Sequence, residues 1–262
     1  LGMARSTYPG YNTQWQYTGE WVRKNTPENA VFAHWWDYGY WVVEGFRRAT
    51  MTDGNNLIGW WNYLMARNVL TTKDEKDAIK FLYAHNATNL LIIVDEIGKY
   101  PAYSSIGSDK NYDRYSFINT LSLDPSRSQE KRNETLLFYN GGFALDEPMI
   151  INDVVLPAYS AGVGAILLPL EQQNNRTIVK QPTAILIYNN NQYDVPLNCL
   201  FIEGKETRFD KSDDKKGING CLQIIPVYQG DKINPMGAAI YLSPRVYGTL
   251  FTKLFLFGQD TE

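Results

Sequence analysis

Apolar positions along this chain change their spacing part-way, and the change predicts two kinds of structure. Over residues 11–24, Trp15, Thr18, Trp21 and Val22 recur at helical spacing, with Asn12 placed to cap the first turn. Pro27 ends that helix, and Val31, Phe32 and Ala33 make a short apolar run that reads as a buried strand. An aromatic block follows, and residues 39–48 are expected to form a short helix presenting Glu44, Arg47 and Arg48, with Gly39 as the hinge. Residues 52–56 read as loop, and residues 57–70 as an amphipathic helix carrying Leu57, Trp61, Leu64, Met65 and Val69. Thr72 with Glu75 reads as a capping box for a helix over 73–84. The continuous apolar run 90–94 is expected to be a central strand.

Beyond residue 107 the pattern is different. Residues 108–132 are polar and charged, and read as irregular. Short apolar or alternating runs then appear at 135–139, 164–168, 177–179, 183–188, 222–228 and 238–242, separated by turns rich in Pro, Gly and Asn. That is the pattern of an antiparallel β region. Residues 246–257 are strongly apolar and predict a closing helix, and no repeat of fixed length occurs. The fold class expected is α+β: a mixed, mainly helical core over residues 1–132, followed by an antiparallel β-rich region over 133–262.

Composition adds a little. Hydrophobic residues make up 44% of the 262, enough for a packed core, and aromatics reach an unusual 14%. The net charge of −3 and scattered basic residues give no nucleic-acid surface. No apolar run reaches the roughly 20 residues that span a bilayer. No signal-peptide pattern opens the chain either.

Candidate chemistry concentrates in His34-Trp35-Trp36-Asp37-Tyr38-Gly39-Tyr40-Trp41. If the strand continues, Trp35 and Asp37 share one face and Trp36 takes the other. An aromatic wall around one acceptor-only carboxylate suits a small donor such as a hydroxyl. Equally, clustered aromatics are often core, and an Asp before Tyr-Gly is often a turn former. The second stretch is residues 95–107, where Glu96, Lys99 and Tyr103 fall on one helical face and Pro101 predicts a kink. An exposed helix with one ordinary ion pair explains that stretch as well.

Trp35-Trp36-Asp37-Tyr38-Gly39 resembles, residue for residue, the signature pentapeptide of the catalytic subunit of oligosaccharyltransferase, the membrane enzyme of asparagine-linked glycosylation. Asn25-Thr26-Pro27-Glu28-Asn29-Ala30-Val31 is similar to that family's lead-in, and Thr50-Met51-Thr52-Asp53-Gly54-Asn55-Asn56 to the segment that follows. The family's second motif is an Asp, a Lys three residues on and an apolar residue four further. Here Lys99 matches the Lys, while Glu96 stands for the Asp and Tyr103 for the apolar residue, both departures.

The resemblance implies transfer of a lipid-linked oligosaccharide, on a dolichol-type carrier, to the Asn of Asn-X-Ser/Thr in an acceptor polypeptide. Trp35, Trp36, Asp37 and Lys99 would bind the Ser/Thr hydroxyl, supported by Tyr38, Gly39, Glu96 and Tyr103. It implies a multi-pass cell-membrane protein of archaeal type, with this chain as its C-terminal part on the extracytoplasmic face beside its own transmembrane domain. The catalytic Mn²⁺ or Mg²⁺ would be held by carboxylates of that membrane region. Asp109, Asp113, Asp213 and Asp214 are expected to be merely solvated, and the chain by itself to transfer no sugar. In an extracytoplasmic setting Cys199 and Cys221 are expected to form a disulfide, the alternative being two buried thiols. Sequons at Asn86, Asn133 and Asn175 permit glycosylation of the chain itself, Asn133 and Asn175 lying in polar loops.

Two readings of other classes compete. A stand-alone carbohydrate-binding cell-surface module would use its β region and exposed tryptophans, including Trp60-Trp61, to stack on sugars. A glycosidase would need a second acid opposite Asp37, and none is marked by its surroundings.

Overall fold

The computed structural model describes residues 10–174, 176–209 and 217–259. The chain forms two compact units, Leu1–Arg114 and Tyr115–Glu262. It is α+β, as expected, and most of its regular structure is a large sheet.

The first unit opens with α1 (Thr13–Asn25), whose cap is Asn12: its Oδ1 accepts the Trp15 N–H at 3.1 Å. At the other end Arg48 is buried and gathers orphan carbonyls, donating from Nη2 to Arg23 O (3.1 Å) and Thr26 O (2.8 Å). A cation at a helix C-terminus complements both the free carbonyls and the dipole. So Arg48 is not presented to solvent, as the pattern suggested; it is a clamp.

Strand β1 (Val31–Ala33) is the centre of a small parallel sheet, with β2 (Ala49–Thr50) on one side and β3 (Asn89–Leu90) on the other. The central strand expected at 90–94 is therefore a two-residue edge strand. The Ile93 N–H turns to the Glu96 side chain at 2.9 Å rather than to a neighbouring strand. After β1 the chain passes through a 3-10 turn, Trp36–Tyr38, into α2 (Gly39–Trp41) and a π turn, Val42–Phe46.

Helix α3 (Trp60–Met65) runs into a second π turn, Ala66–Leu70, leaving 57–59 outside it. Helix α4 (Glu75–Ala84) is capped not by Thr72 but by Asp74, which accepts the Lys76 N–H at 2.9 Å. Thr72 serves one step earlier, taking the Asp74 N–H at 3.1 Å. Helix α5 (Glu96–Ile106) has Pro101 inside it and does not end there.

The second unit takes in residues 115–132, whose polar sequence predicts irregular structure within the first region. Strand β4 (Asn119–Ser122) pairs with β15 (Lys232–Leu242), and β5 (Gln129–Glu130) with β6 (Glu134–Ala144). The boundary thus falls after 114 rather than 132. Partner strands far along the chain define β4, which is why its own polar sequence does not announce it.

The ten-stranded sheet also contains β9 (Gly162–Gln173), β10 (Arg176–Val179), β11 (Thr183–Tyr188), β12 (Asn191–Ile202), β13 (Lys205–Arg208) and β14 (Ile218–Gln229). A separate hairpin joins β7 (Met149–Ile151) to β8 (Val154–Leu156). The sheet is not purely antiparallel. β12 pairs with β11 through its first half, then runs parallel to β14 through its second. Cys199 and Cys221 are directly paired in that parallel register and form a disulfide, which joins adjacent strands rather than only closing a loop. Leu137, Tyr139, Val163, Ile166, Leu186 and Leu222 anchor the core of this unit. Near the chain's end a helical segment closes on a π turn, Thr252–Leu256.

Candidate functional site

The site grows from the end of β1. His34 is fully buried; its Nδ1 donates to the Trp35 carbonyl at 2.6 Å, and its Nε2 meets Thr50 Oγ1 on β2. Burial pushes the imidazole pKa down, so it is neutral. Thr52 Oγ1 donates back to the His34 carbonyl at 3.0 Å. These bonds fix the strand end from which the pentapeptide departs. Neither His34 nor Thr52 had a role in the sequence reading, although a histidine before a tryptophan pair was the available signal.

The 3-10 turn overrides strand alternation. Trp35 is only 3% exposed and packs on Tyr103 of α5 (5.6 Å between rings), so it backs the site instead of sharing a face with Asp37. Trp36 and Asp37 are half-buried and reach solvent. Tyr38 is buried, stacked on Trp15 of α1 at 5.6 Å. Gly39 is no hinge: its backbone is ordinary helix (φ −56°). It is needed for close approach, because a Cβ there would lie 2.4 Å from the Thr52 carbonyl oxygen and 2.5 Å from the Asp53 Cα.

Helix α5 delivers the second motif onto the first. Lys99 Nζ donates to Asp37 Oδ2 in an ion pair and to the Tyr38 hydroxyl at 2.8 Å, lying 4.6 Å from the centre of the Tyr38 ring. Burial alone would lower the lysine pKa; its bonds to Asp37 and Tyr38 outweigh that and raise it. Burial lifts the Tyr38 phenol to about 12 despite the opposing ammonium. Both are protonated at neutral pH.

Glu96 is wholly buried. Its Oε2 accepts the Ile93 N–H, and the Trp35 backbone N–H also favours its charge. Burial nevertheless lifts its pKa to about 7. Tyr103, in the apolar position, is fully buried between Trp35 and Tyr100.

The remaining candidates lie elsewhere. Asn86 is exposed, with a left-handed backbone (φ 55°), but its sequon hydroxyl on Thr88 is engaged, donating to Asn89 Oδ1 at 2.8 Å. Asn133 is exposed in the turn between β5 and β6. Asn175, Asp213 and Asp214 lie outside the described residues. Asp113 is not merely solvated, since Arg67 grips both its oxygens (3.1 and 2.9 Å). Among the described residues no three His, Cys, Asp or Glu side chains come close enough to hold a metal ion, so they do not fit a divalent cation unaided. Among them, too, no helix is long and apolar enough to cross a membrane.

The chain is 31% identical over 255 residues, 96% of its length, to dolichyl-phosphooligosaccharide-protein glycotransferase 2 of Pyrococcus horikoshii. Its homologues are oligosaccharyltransferase subunits. The STT3 subunit of the Saccharomyces cerevisiae enzyme is 26% identical over 151 residues, covering 48% of this chain and 20% of that subunit. The Schizosaccharomyces pombe stt3 subunit is 32% identical over 76 residues, covering 28% and 10%. The archaeal protein thus matches along nearly the whole chain and the yeast ones along less of it. This chain spans 26% of the archaeal relative's length. No family model matches it. The solved C-terminal domain of C. jejuni PglB aligns over 95% of this chain and 92% of its own length, at 12% identity and a TM-score of 0.45, too loose a likeness to add weight.

Proposed function

We propose that the chain is the extracytoplasmic C-terminal part of an oligosaccharyltransferase, and that it holds the Ser or Thr hydroxyl of an Asn-X-Ser/Thr acceptor. The rest of the protein, embedded in the membrane, would supply the lipid-linked oligosaccharide and the carboxylates for Mn²⁺ or Mg²⁺. One observation carries the reading. Lys99 holds Asp37 by a single oxygen, and Asp37 Oδ1 accepts no hydrogen bond from any described residue.

A hydroxyl both donates and accepts. Asp37 Oδ1 is positioned as the acceptor, and the Lys99 ammonium, with two of its three protons engaged, has one left to give. Trp36, next to Asp37 in sequence and half-buried, would cover the bound hydroxyl, and it packs on Trp35, which in turn packs on Tyr103. Lowering the local dielectric strengthens both bonds. An acceptor with Ala in place of Ser/Thr leaves a half-buried carboxylate and ammonium unanswered, a loss of about 1–3 kcal/mol. This geometry binds and orients; it contains nothing that makes or breaks a bond, so this chain alone should transfer no sugar.

The test compares Asn-X-Thr peptide transfer by the full-length protein with that of Asp37→Ala and Lys99→Met, the fold of each checked by circular dichroism. Both variants should lose about 100-fold or more in kcat/KM while staying folded. Normal transfer by Asp37→Ala would end the reading.

A further inference from the structure

A second cleft lies in the same unit, lined by Thr50, Thr52, Asp53, Asn56, Trp61 and Asn62, with Leu57 and Ile58 on its apolar side. Its volume is about 150 Å³, room for one sugar ring. Thr52 and Asp53 are the residues that crowd Gly39, so its polar wall backs directly onto the pentapeptide. The hydroxyl-reading proposal does not use it.

The cleft is braced before any ligand arrives. Asp53 Oδ1 accepts the Asn55 N–H at 2.9 Å, Asn62 Nδ2 donates to Asn56 Oδ1 at 2.7 Å, and the Trp61 N–H donates to Ile58 O at 3.0 Å. Trp61 is pinned edge-on by His85 at 4.4 Å. Asp53 Oδ2 and Asn62 Oδ1 take no hydrogen bond from any described residue, leaving two acceptors. Asn62 keeps an amide proton as well.

Around these polar atoms the apolar residues are exposed: Leu57 is 84%, Ile58 49% and Trp60 57% accessible. Trp60 stacks on Trp61, ring centres 4.9 Å apart and planes 16° from parallel, so its outer face continues the aromatic surface away from the cleft. Apolar ring faces flanked by carboxylate and amide acceptors match a pyranose, which offers C–H faces and a rim of hydroxyls. A fixed carboxylate disfavours anionic ligands.

We propose that this cleft is an oligosaccharide subsite: one pyranose hydrogen-bonds Asp53 and Asn62 beside Trp61, and the next lies on Trp60. The glycan could come from the lipid-linked donor or from an acceptor already glycosylated, and the chemistry is the same. The residues, not the family reading, carry this proposal, and it stands or falls apart from Asp37.

The experiment is saturation-transfer difference NMR on the full-length protein in detergent, with free oligosaccharide released from host glycoproteins as the probe. Sugar ring protons should show transfer, with affinity falling about tenfold in Asp53→Asn, Asn62→Ala and Trp60→Ala. Asp37→Ala should leave it unchanged, which separates this site from the hydroxyl reader. Competition by the lipid-linked donor assigns the source as donor, and competition by a glycopeptide as acceptor. Absence of transfer, or binding of a lysine-rich peptide in place of the sugar, overturns the proposal.

Discussion

The two units handle buried polar groups in different ways. The second buries Leu, Ile and Val across a continuous sheet whose backbone is paired strand to strand, and its buried carboxylate, Asp146, is answered internally by the Ser116 and Ser243 hydroxyls. Among its described residues the first has three short strands, two π turns and a set of buried or half-buried ionisable groups: His34, Arg48, Glu96, Asp37 and Lys99. A well-packed apolar side chain often stabilises as much as a buried ionic group, so stability alone does not account for these. The hydroxyl recognition proposed above draws on groups of the first unit alone.

The sharpest way to break that contrast is Gly39→Ala. A new Cβ at 2.4–2.5 Å from the Thr52–Asp53 backbone cannot be absorbed by a side-chain rotation. We expect a loss of about 4 kcal/mol or more in the first unit, with the second unaffected. Limited proteolysis followed by mass spectrometry should show cleavage concentrated before residue 115. Cuts spread evenly along the chain would mean the units do not respond separately.

The converse perturbation is Cys199→Ala with Cys221→Ala. Removing a link across a paired parallel register should cost the second unit about 3 kcal/mol and, in the full-length protein, leave the proposed sugar transfer per folded molecule unchanged. Denaturant unfolding and a transfer assay, run on the same preparation, read both. A fall in transfer without loss of stability would contradict the division of labour.

A smaller effect should come from Glu96→Gln. Folding raises this carboxyl from 4.5 to about 7, so its contribution to stability is complete below pH 4.5 and is lost as pH rises through 7. The variant should match the wild type near pH 4 and exceed it by about 3 kcal/mol at pH 8. A difference that stays constant with pH would show that the buried group does not titrate in this range.

Much of the second unit was legible because six of its strands announce themselves by local alternation. What escaped depended on partners. β4 is polar and exists because β15 pairs with it, and the parallel contact between β12 and β14 follows from where β12 leaves β11. In the first unit the Asn12 cap and β1 could be read directly, whereas Thr72 was displaced by Asp74, two residues nearer the helix. Lys99 was placed through the motif's spacing. That Trp35 faces inward could not be read, because a 3-10 turn replaces the strand whose alternation the reading assumed.

Tyr38 is sealed beneath Trp15, and Gly39 sits flush against Thr52. The pentapeptide therefore has no shape of its own to carry elsewhere. Copied into a loop of another scaffold, the same five residues would lose the α1 ring above them, the 50–53 backbone beside them and the α5 ammonium that turns Asp37. A designer wishing to transplant the proposed hydroxyl recognition would have to move about a hundred residues, the whole first unit, rather than a short tag.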